Sequence, residues 1–295
     1  MAATAEQTKA LVPSQVAIGA GKIYPHLDLA VMSEGMGLDF VNLDAMDAAS
    51  ARYRDELQAR GVSVIPGFVS PDAIAAMVEE CDRLAVDAHH QDVQGTPYLE
   101  LPDDGWPEGH PRVAWDRSSV HTIGYDQFPS TSRIRQLFES DDFLGFLSKV
   151  LGRSPLYRYA DPIGALNVAV MTEGDQLGWH FDQTDFVVSL AIQSSESGGD
   201  FENAALLRSG DDENYDEVAA VLRGERRDEV VVEPMTPGTL MLFEGRRSLH
   251  RVTPIAGDRP RYVALFGYDT KPNTMSSDLL KQIRYGRTEP LDAPR

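Results

Sequence analysis

The stretch "GWHFDQTDFVVSLAIQ" (Gly178–Gln193) places a histidine and a carboxylate two residues apart, just before an apolar run. The run is typical of a buried strand, and alternate side chains of a strand point to opposite faces, about 7 Å apart on each face. His180 and Asp182 are therefore expected on one face, with Trp179 and Phe181 packing on the other. The histidine and the carboxylate could bind one small object between them.

Short apolar or alternating runs of the same kind lie on both sides of this stretch. They are "ALNVAVM" (165–171), "EVVVEP" (229–234), "TLMLF" (239–243) and "RYVALFGY" (261–268). Turn signals such as Gly198-Gly199 separate them. Closely spaced short strands of this kind predict a β-sandwich or jelly-roll barrel, which a helical segment at 212–224 interrupts.

The first half of the chain is predicted to be mainly helical. Helices are expected at 44–60, from Ser70 onwards, and at 140–151, with a short strand in "VSVIPGF" (62–68). Residues 1–43 are expected to form an extended arm. Residues 88–130 are expected to be irregular, with His89-His90 as the solvated end of a helix.

These elements predict a single domain that is mainly β with flanking helices. Its parts are an N-terminal arm and buttressing helices (1–154), a β-core (155–270) with a helical insertion near 205–228, and a C-terminal tail (271–295).

Composition limits the partners and the compartment. The formal charge of −19 argues against nucleic acid and against an anionic membrane surface. Cys81 is the only cysteine, so the chain has no internal disulfide and no thiolate metal cluster, and we expect Cys81 in the core. No apolar run reaches 18 residues and the start lacks a basic, then apolar, leader, which predicts a cytoplasmic protein acting on a small molecule.

A second histidine, His250, follows the strand signal at 239–243. Two imidazoles and one carboxylate can occupy one face of an octahedral metal, which is the pattern of non-haem Fe(II) oxygenases. Zinc is the alternative occupant, and a His-x-Asp pair by itself is common by chance. Arg261, one strand further on, can form a bidentate pair with a carboxylate, as a 2-oxoacid cosubstrate would require.

The segments "GWHFDQTDFVVSLAIQ", "GGDFE", "PGTLMLFEGRRSLHRVTP" and "RPRYVALFGYD" resemble the Fe(II)/2-oxoglutarate-dependent oxygenases. Within them, the chain most resembles the branch that contains free-amino-acid halogenases and hydroxylases, over roughly residues 60–290. The resemblance implies a double-stranded β-helix, a cupin-like jelly roll, with Fe(II), 2-oxoglutarate and O₂ as cofactors and cosubstrate.

The resemblance also implies roles for particular residues. Iron would be bound by His180, Asp182 and His250. Arg261 would bind the far carboxylate of 2-oxoglutarate, with Arg259 as the alternative because Pro260 leaves the strand register open. Asn167 is a further candidate for the cofactor pocket.

Halogenases of this branch resemble one another in having a small residue where this chain has Asp182. The carboxylate leaves no ligand position for chloride, so the resemblance implies hydroxylation of an unactivated C–H bond. Desaturation, epoxidation or ring closure on a natural-product intermediate is the alternative outcome at the same site. A metal-binding β-barrel without turnover is the alternative of another class.

Three residues are predicted to contact the substrate. By resemblance, Arg117 matches a position that holds a substrate carboxylate, although a surface arginine paired with an acid is an equal alternative. Ile163 and Leu177 are apolar where relatives that accept a cationic side chain have polar groups. An apolar pocket disfavours a buried ammonium, so we expect a small carboxylate, most simply a free amino acid with an aliphatic side chain.

Overall fold

The computed structural model describes residues 38–291. The predicted N-terminal arm (1–43) lies almost entirely outside the described residues. The helices are α1 (Leu43–Ala48), α2 (Ser50–Arg60), α3 (Pro71–Leu84), α4 (Arg133–Glu139), α5 (Asp141–Leu151), α6 (Tyr215–Leu222) and α7 (Asp278–Tyr285). The strands are β1 (Val62–Ile65), β2 (His89–Gly95), β3 (Asp116–Gly124), β4 (Tyr157–Arg158), β5 (Leu166–Met171), β6 (Leu177–His180), β7 (Val187–Gln193), β8 (Phe201–Ala204), β9 (Val231–Glu233), β10 (Leu240–Phe243), β11 (Leu249–Val252), β12 (Arg261–Phe266) and β13 (Tyr268–Asp269).

Eight of these strands form a double-stranded β-helix. The larger sheet has the order β1-β10-β7-β12-β5-β3-β2, and the smaller sheet has the order β6-β11-β8-β9. From β5 to β12 the chain passes repeatedly between the two sheets, and all strand pairs within them are antiparallel. The predicted mainly-β fold with flanking helices is confirmed.

Strand β5 shows how the larger sheet separates its two faces. Leu166, Val168 and Val170 belong to the large apolar cluster that also contains buried residues of α3, α4 and α5. Ala169 and Met171 belong to a second cluster, with Phe201 and Val252 of the smaller sheet. Side chains that alternate along each strand thus either pack on helices or face the interior of the β-helix.

The predicted helix boundaries rest on capping groups that the structure contains. Ser70 accepts a hydrogen bond from the backbone of α3, and Ser140 does the same for α5. Gly152 and Gly61 end α5 and α2 in the left-handed conformation that favours glycine. The buried Cys81 packs in the core, as predicted. Among the described residues, no helix is both long and apolar enough to cross a membrane.

The expectation of irregular structure over 88–130 was wrong. β2 and β3 extend the larger sheet beyond β5, with β2 at its edge. His89 and His90 open β2 and do not end a helix. The two strands were missed because "HHQDVQG" and "DRSSVHTIG" are mostly polar and lack the apolar alternation that predicts a strand.

Candidate active site

His180 and His250 lie opposite each other on paired strands of the smaller sheet. His180 is the last residue of β6, and its partner in the antiparallel ladder is His250 of β11. The ring centroids are 4.2 Å apart. Two residues separated by 70 positions in the sequence are therefore neighbours because of strand register alone.

Backbone carbonyls orient both rings. His180 Nδ1 is 2.7 Å from the carbonyl oxygen of Gly178, and His250 Nδ1 is 2.9 Å from that of Ser248. A carbonyl only accepts, so each Nδ1 carries the proton and donates it. Each Nε2 is then left with a lone pair, which is the form in which imidazole binds a metal.

The Asp182 carboxylate lies between the two Nε2 atoms. Its Oδ1 is 3.8 Å from His180 Nε2, and its Oδ2 is 3.4 Å from His250 Nε2. Oδ2 is buried and has no hydrogen-bond partner among the described residues. An unpaired buried carboxylate oxygen is costly unless a cation binds it, so this donor set fits a divalent metal.

Gly245 makes room for this carboxylate. A Cβ atom on residue 245 would lie 2.0 Å from Asp182 Oδ2 and 2.9 Å from Asp182 Cβ. The backbone N–H of Asp182 also donates to the carbonyl of Gly245, at 3.0 Å. Only a residue without a side chain allows this close approach.

Apolar side chains lie on both faces of the smaller sheet around the triad. The rings of Phe201 and Phe243 lie 5.4 and 4.9 Å from the ring of His250. Burial, and after it the neighbouring His180, lowers the pKa of His250 to about 4, with Asp182 opposing the shift. Trp179 and Phe181 pack in a separate cluster on the outer face of the smaller sheet, as the strand alternation predicted.

Arg261 is a buried cation that has no anionic partner in the described residues. It opens β12 opposite Met171, and Nη1 contacts the Met171 sulfur at 3.8 Å. Burial lowers its pKa to about 10, partly offset by the charge of Asp200. No carboxylate lies within ion-pair distance among residues 38–291, so a guanidinium on the inner face is left for an anion.

Arg259 points to the surface. Its Nε and Nη2 donate to the backbone carbonyls of Ser194 and Ser195, at 2.8 and 3.0 Å. Of the two arginines that the sequence left open, Arg261 is the one on the interior side of the sheet.

Of the other predicted residues, Asn167 and Leu177 lie on strands of the β-helix, and Ile163 lies in a loop. Asn167 is buried on β5, on the same face as Met171. Leu177 pairs with Val252 and packs on the interior cluster. Ile163 is fully buried in the loop before β5, where its carbonyl accepts from Tyr125.

Arg117 is not brought into this group of residues. Its Nε and Nη2 each lie 2.9 Å from a carboxylate oxygen of Asp92, and its Nη1 donates to the carbonyl of Gly174. Arg117 and Val120 are three residues apart on β3, so their side chains lie on opposite faces of the sheet. Because Val120 belongs to the interior cluster, Arg117 lies on the face away from the interior. Its observed contacts are those of a surface ion pair.

Asn203 was missed by the sequence analysis. It pairs directly with His250 across β8 and β11, is fully buried, and has neither side-chain polar atom hydrogen-bonded among the described residues. An unpaired buried amide beside a candidate metal ligand is a candidate for contact with a bound molecule. Nothing in "GGDFENA" distinguishes it from a strand residue that faces solvent.

Comparison with known proteins gives the family. The model of the Halogenase D family matches residues 110–283, which is more than half of the chain. The chain belongs to the Halogenase D family. No curated protein sequence matches it.

Solved structures agree on the fold. AviO1 from Streptomyces viridochromogenes Tue57 has a TM-score of 0.51 at 14% identity, covering 81% of this chain and 98% of its own. The non-heme alpha ketoglutarate dependent epimerase SnoN from nogalamycin biosynthesis has a TM-score of 0.50 at 15% identity, covering 75% and 83%. A prolyl hydroxylase from Trichoplax adhaerens has a TM-score of 0.51 at 14% identity, covering 78% and 94%. At these identities the likeness establishes the fold alone.

Membership of the Halogenase D family and the His180-Asp182-His250 group agree with the predicted enzyme class, a non-haem iron, 2-oxoglutarate-dependent oxygenase.

Proposed function

We propose that this enzyme hydroxylates an unactivated C–H bond of a small carboxylate, a free amino acid with an aliphatic side chain. Iron would be held by His180, Asp182 and His250, and 2-oxoglutarate by Arg261. When bound, iron and 2-oxoglutarate supply the activation of O₂ and the oxidising power. The protein contributes the positions of the donors, the cosubstrate and the C–H bond.

The single observation that carries the proposal is the pair of unmatched buried charges. Among residues 38–291, Asp182 Oδ2 has no hydrogen-bond donor and the Arg261 guanidinium has no carboxylate partner, although both are in the interior of the β-helix. A divalent cation satisfies the first and the carboxylate of a 2-oxoacid satisfies the second. The proposal is supported by the contact of Arg261 with Met171, which belongs to the same interior cluster as Phe201, the neighbour of His250.

Hydroxylation is favoured over halogenation by the carboxylate at residue 182. A halide needs a ligand position that a small residue at 182 would leave open, and here the position holds a carboxylate between the two imidazoles. Gly245 supports the same view, because the space that its missing side chain provides is filled by Asp182.

The substrate class is supported by the surfaces near the triad. Leu177, Val252 and Phe201 line the interior next to His250 with apolar groups. Burying an ammonium against such groups costs several kcal/mol, roughly 2–7 even for a neutral polar group that finds no partner. An aliphatic side chain is the better match. The proposal does not depend on Arg117, whose guanidinium is already paired with Asp92.

The test is a succinate-release assay of the full-length protein with Fe(II), 2-oxoglutarate and O₂, across free amino acids and small carboxylates. We expect substrate-dependent succinate with an aliphatic amino acid and none with His180→Ala. The product should gain the mass of one oxygen. A loss of two hydrogens would identify desaturation, and a chlorinated product in the presence of chloride would contradict the argument from Asp182. If no member of the panel stimulates succinate release, the substrate class is wrong.

A further inference from the structure

A second group of two imidazoles and one carboxylate lies outside the active site. Its members are His90 on β2, His121 on β3 and Asp175 in the loop between β5 and β6. One ligand atom from each lies within 4.8 Å of those of the other two. His121 alternates on β3 with Val120, which faces the interior of the β-helix, so the group lies on the opposite face of the larger sheet.

The spacing of the donors matches that of the active-site triad. His90 Nε2 is 3.6 Å from Asp175 Oδ1, and His121 Nε2 is 3.8 Å from Asp175 Oδ2. The corresponding distances in the active site are 3.8 and 3.4 Å. The two imidazole rings stack with their centroids 4.2 Å apart and an interplanar angle of 20°; the active-site rings have the same separation but are tilted by 57°.

Hydrogen bonds hold the Asp175 carboxylate in place. Its Oδ2 accepts from the backbone N–H and the hydroxyl of Thr172, at 2.8 and 3.0 Å, and its Oδ1 accepts from the hydroxyl of Ser119. Burial disfavours its charge, but these hydrogen bonds hold the pKa of Asp175 below its ordinary value. Outer hydrogen bonds of this kind orient the carboxylate ligands of metal sites.

The local charge also favours a cation. Arg117 lies close by, but its guanidinium forms a bidentate pair with Asp92 and donates to the carbonyl of Gly174. The positive charge of Arg117 is therefore matched by Asp92, and the negative charge of Asp175 faces two imidazoles. The side chains of His90 and His121 are 44% and 29% exposed, so a metal ion has access from solvent.

We propose that His90, His121 and Asp175 form a second site for a divalent transition-metal ion of the zinc type. Two imidazoles and a carboxylate suit such an ion, with solvent in the remaining position. On binding, His90 Nε2 would exchange its 2.9 Å contact with Ser119 Oγ for the metal, and Ser119 would continue to hold Asp175. The bound ion would fasten the loop before β6 to the β2–β3 edge of the sheet.

This attachment lies close to the active site in the sequence. Asp175 is five residues before His180, and the intervening Gln176 already bridges to Ser119 of β3. The second ion therefore has a structural role: it holds in place the segment that carries the first iron ligand. It takes no part in the chemistry.

The test is an anaerobic Co(II) titration of the chelator-treated full-length protein, with bound metal measured by absorption and by elemental analysis. We expect two equivalents in the wild type and one in His180→Ala/His250→Ala. His90→Gln/His121→Gln should also bind one, and the control His89→Gln should bind two, because His89 lies on the same strand but outside the group.

Two further readouts keep the test decisive if a variant folds poorly. In the wild type, 2-oxoglutarate should change the Co(II) spectrum of one equivalent and leave the other unchanged. Zn(II) at about 100 times its Kd should raise the Tm of His180→Ala/His250→Ala by roughly 5 °C, and this rise should vanish when His90→Gln is added. A single equivalent in the wild type, or a second equivalent that survives His90→Gln/His121→Gln, would overturn the proposal. Neither result would contradict the proposed hydroxylation, which is tested separately.

Discussion

Gly245→Ala should weaken iron binding about 100-fold without unfolding the protein. Residue 245 has no side chain, and an added methyl group would lie 2.0 Å from Asp182 Oδ2. The backbone of Gly245 is outside the left-handed region, so alanine itself is not strained there. The whole effect should therefore come from displacement of the carboxylate.

The size of the displacement follows from the contact distance. An ordinary C···O contact is about 3.3 Å, so the carboxylate oxygen must move by about 1.3 Å. Metal sites tolerate about 0.2 Å in their ligand distances. Asp182 Cβ would lie only 2.9 Å from the new methyl group, so rotation of the carboxylate alone cannot relieve the clash. We expect iron affinity and turnover to fall by about 100-fold, the upper end of what outer-shell changes cost in metal sites.

The assay is an anaerobic Fe(II) titration, together with 2-oxoglutarate turnover and thermal unfolding of the metal-free protein. The matched control is Gly145→Ala, because residue 145 lies in α5 and has nothing within 4 Å of an added Cβ. This control should keep wild-type affinity and gain roughly 0.5–1 kcal/mol of stability from the better helix former.

A double-mutant comparison isolates the cause. In an Asp182→Gly background the carboxylate is gone, and Gly245→Ala should produce no further loss of iron affinity. Wild-type iron affinity in the single variant Gly245→Ala would refute the assignment of Asp182 as a ligand in this geometry. An equal loss in both backgrounds would show that the methyl group acts on something other than the carboxylate.

Three other predictions test the remaining arguments. Arg261→Met should raise the KM for 2-oxoglutarate by roughly 10- to 100-fold, since a charge-assisted hydrogen bond contributes about 1.5–3 kcal/mol. Arg259→Met should leave this KM unchanged. The reverse pattern would exchange the roles of the two arginines. Asn203→Leu should raise the free energy of unfolding by about 1–3 kcal/mol, because it removes an unpaired buried amide, and should lower turnover; destabilisation in chemical denaturation would contradict this. Burial raises the pKa of Glu80, opposed by its hydrogen bond from Ser132. The unfolded chain therefore loses this proton first as the pH rises, and Glu80→Gln should be more stable than the wild type at about pH 8 but not below about pH 4; a pH-independent difference in Tm would count against it.

Part of the site could be predicted from the sequence, because the alternation of side chains along a strand acts over two residues. His180 and Asp182 are two residues apart, and the alternation of a strand is enough to place them on one side. Asp182 lies just beyond the end of β6, yet the two side chains still meet. Local capping groups likewise determined where α3 and α5 begin.

The strands β2 and β3 show where local pattern gives too little information. Their polar sequences resemble those of loops, and they are strands only because β3 pairs with β5 and β2 pairs with β3. His90 and His121 are partners in that pairing, so the second group could not be found without it. Asn203 is a similar case, because its burial depends on facing His250 across the smaller sheet.

The sequence by itself determined the repeated short strands, the helix caps, the donor types and the presence of a carboxylate at residue 182. These depend on periods and contacts within a few residues, which any single stretch contains. Only the tertiary structure decided which distant residues meet: His250 with His180, Arg261 and not Arg259 in the interior, and Gly245 against Asp182. Each of these depends on strand register, and a shift of one residue in register would turn every side chain of a strand to the other face.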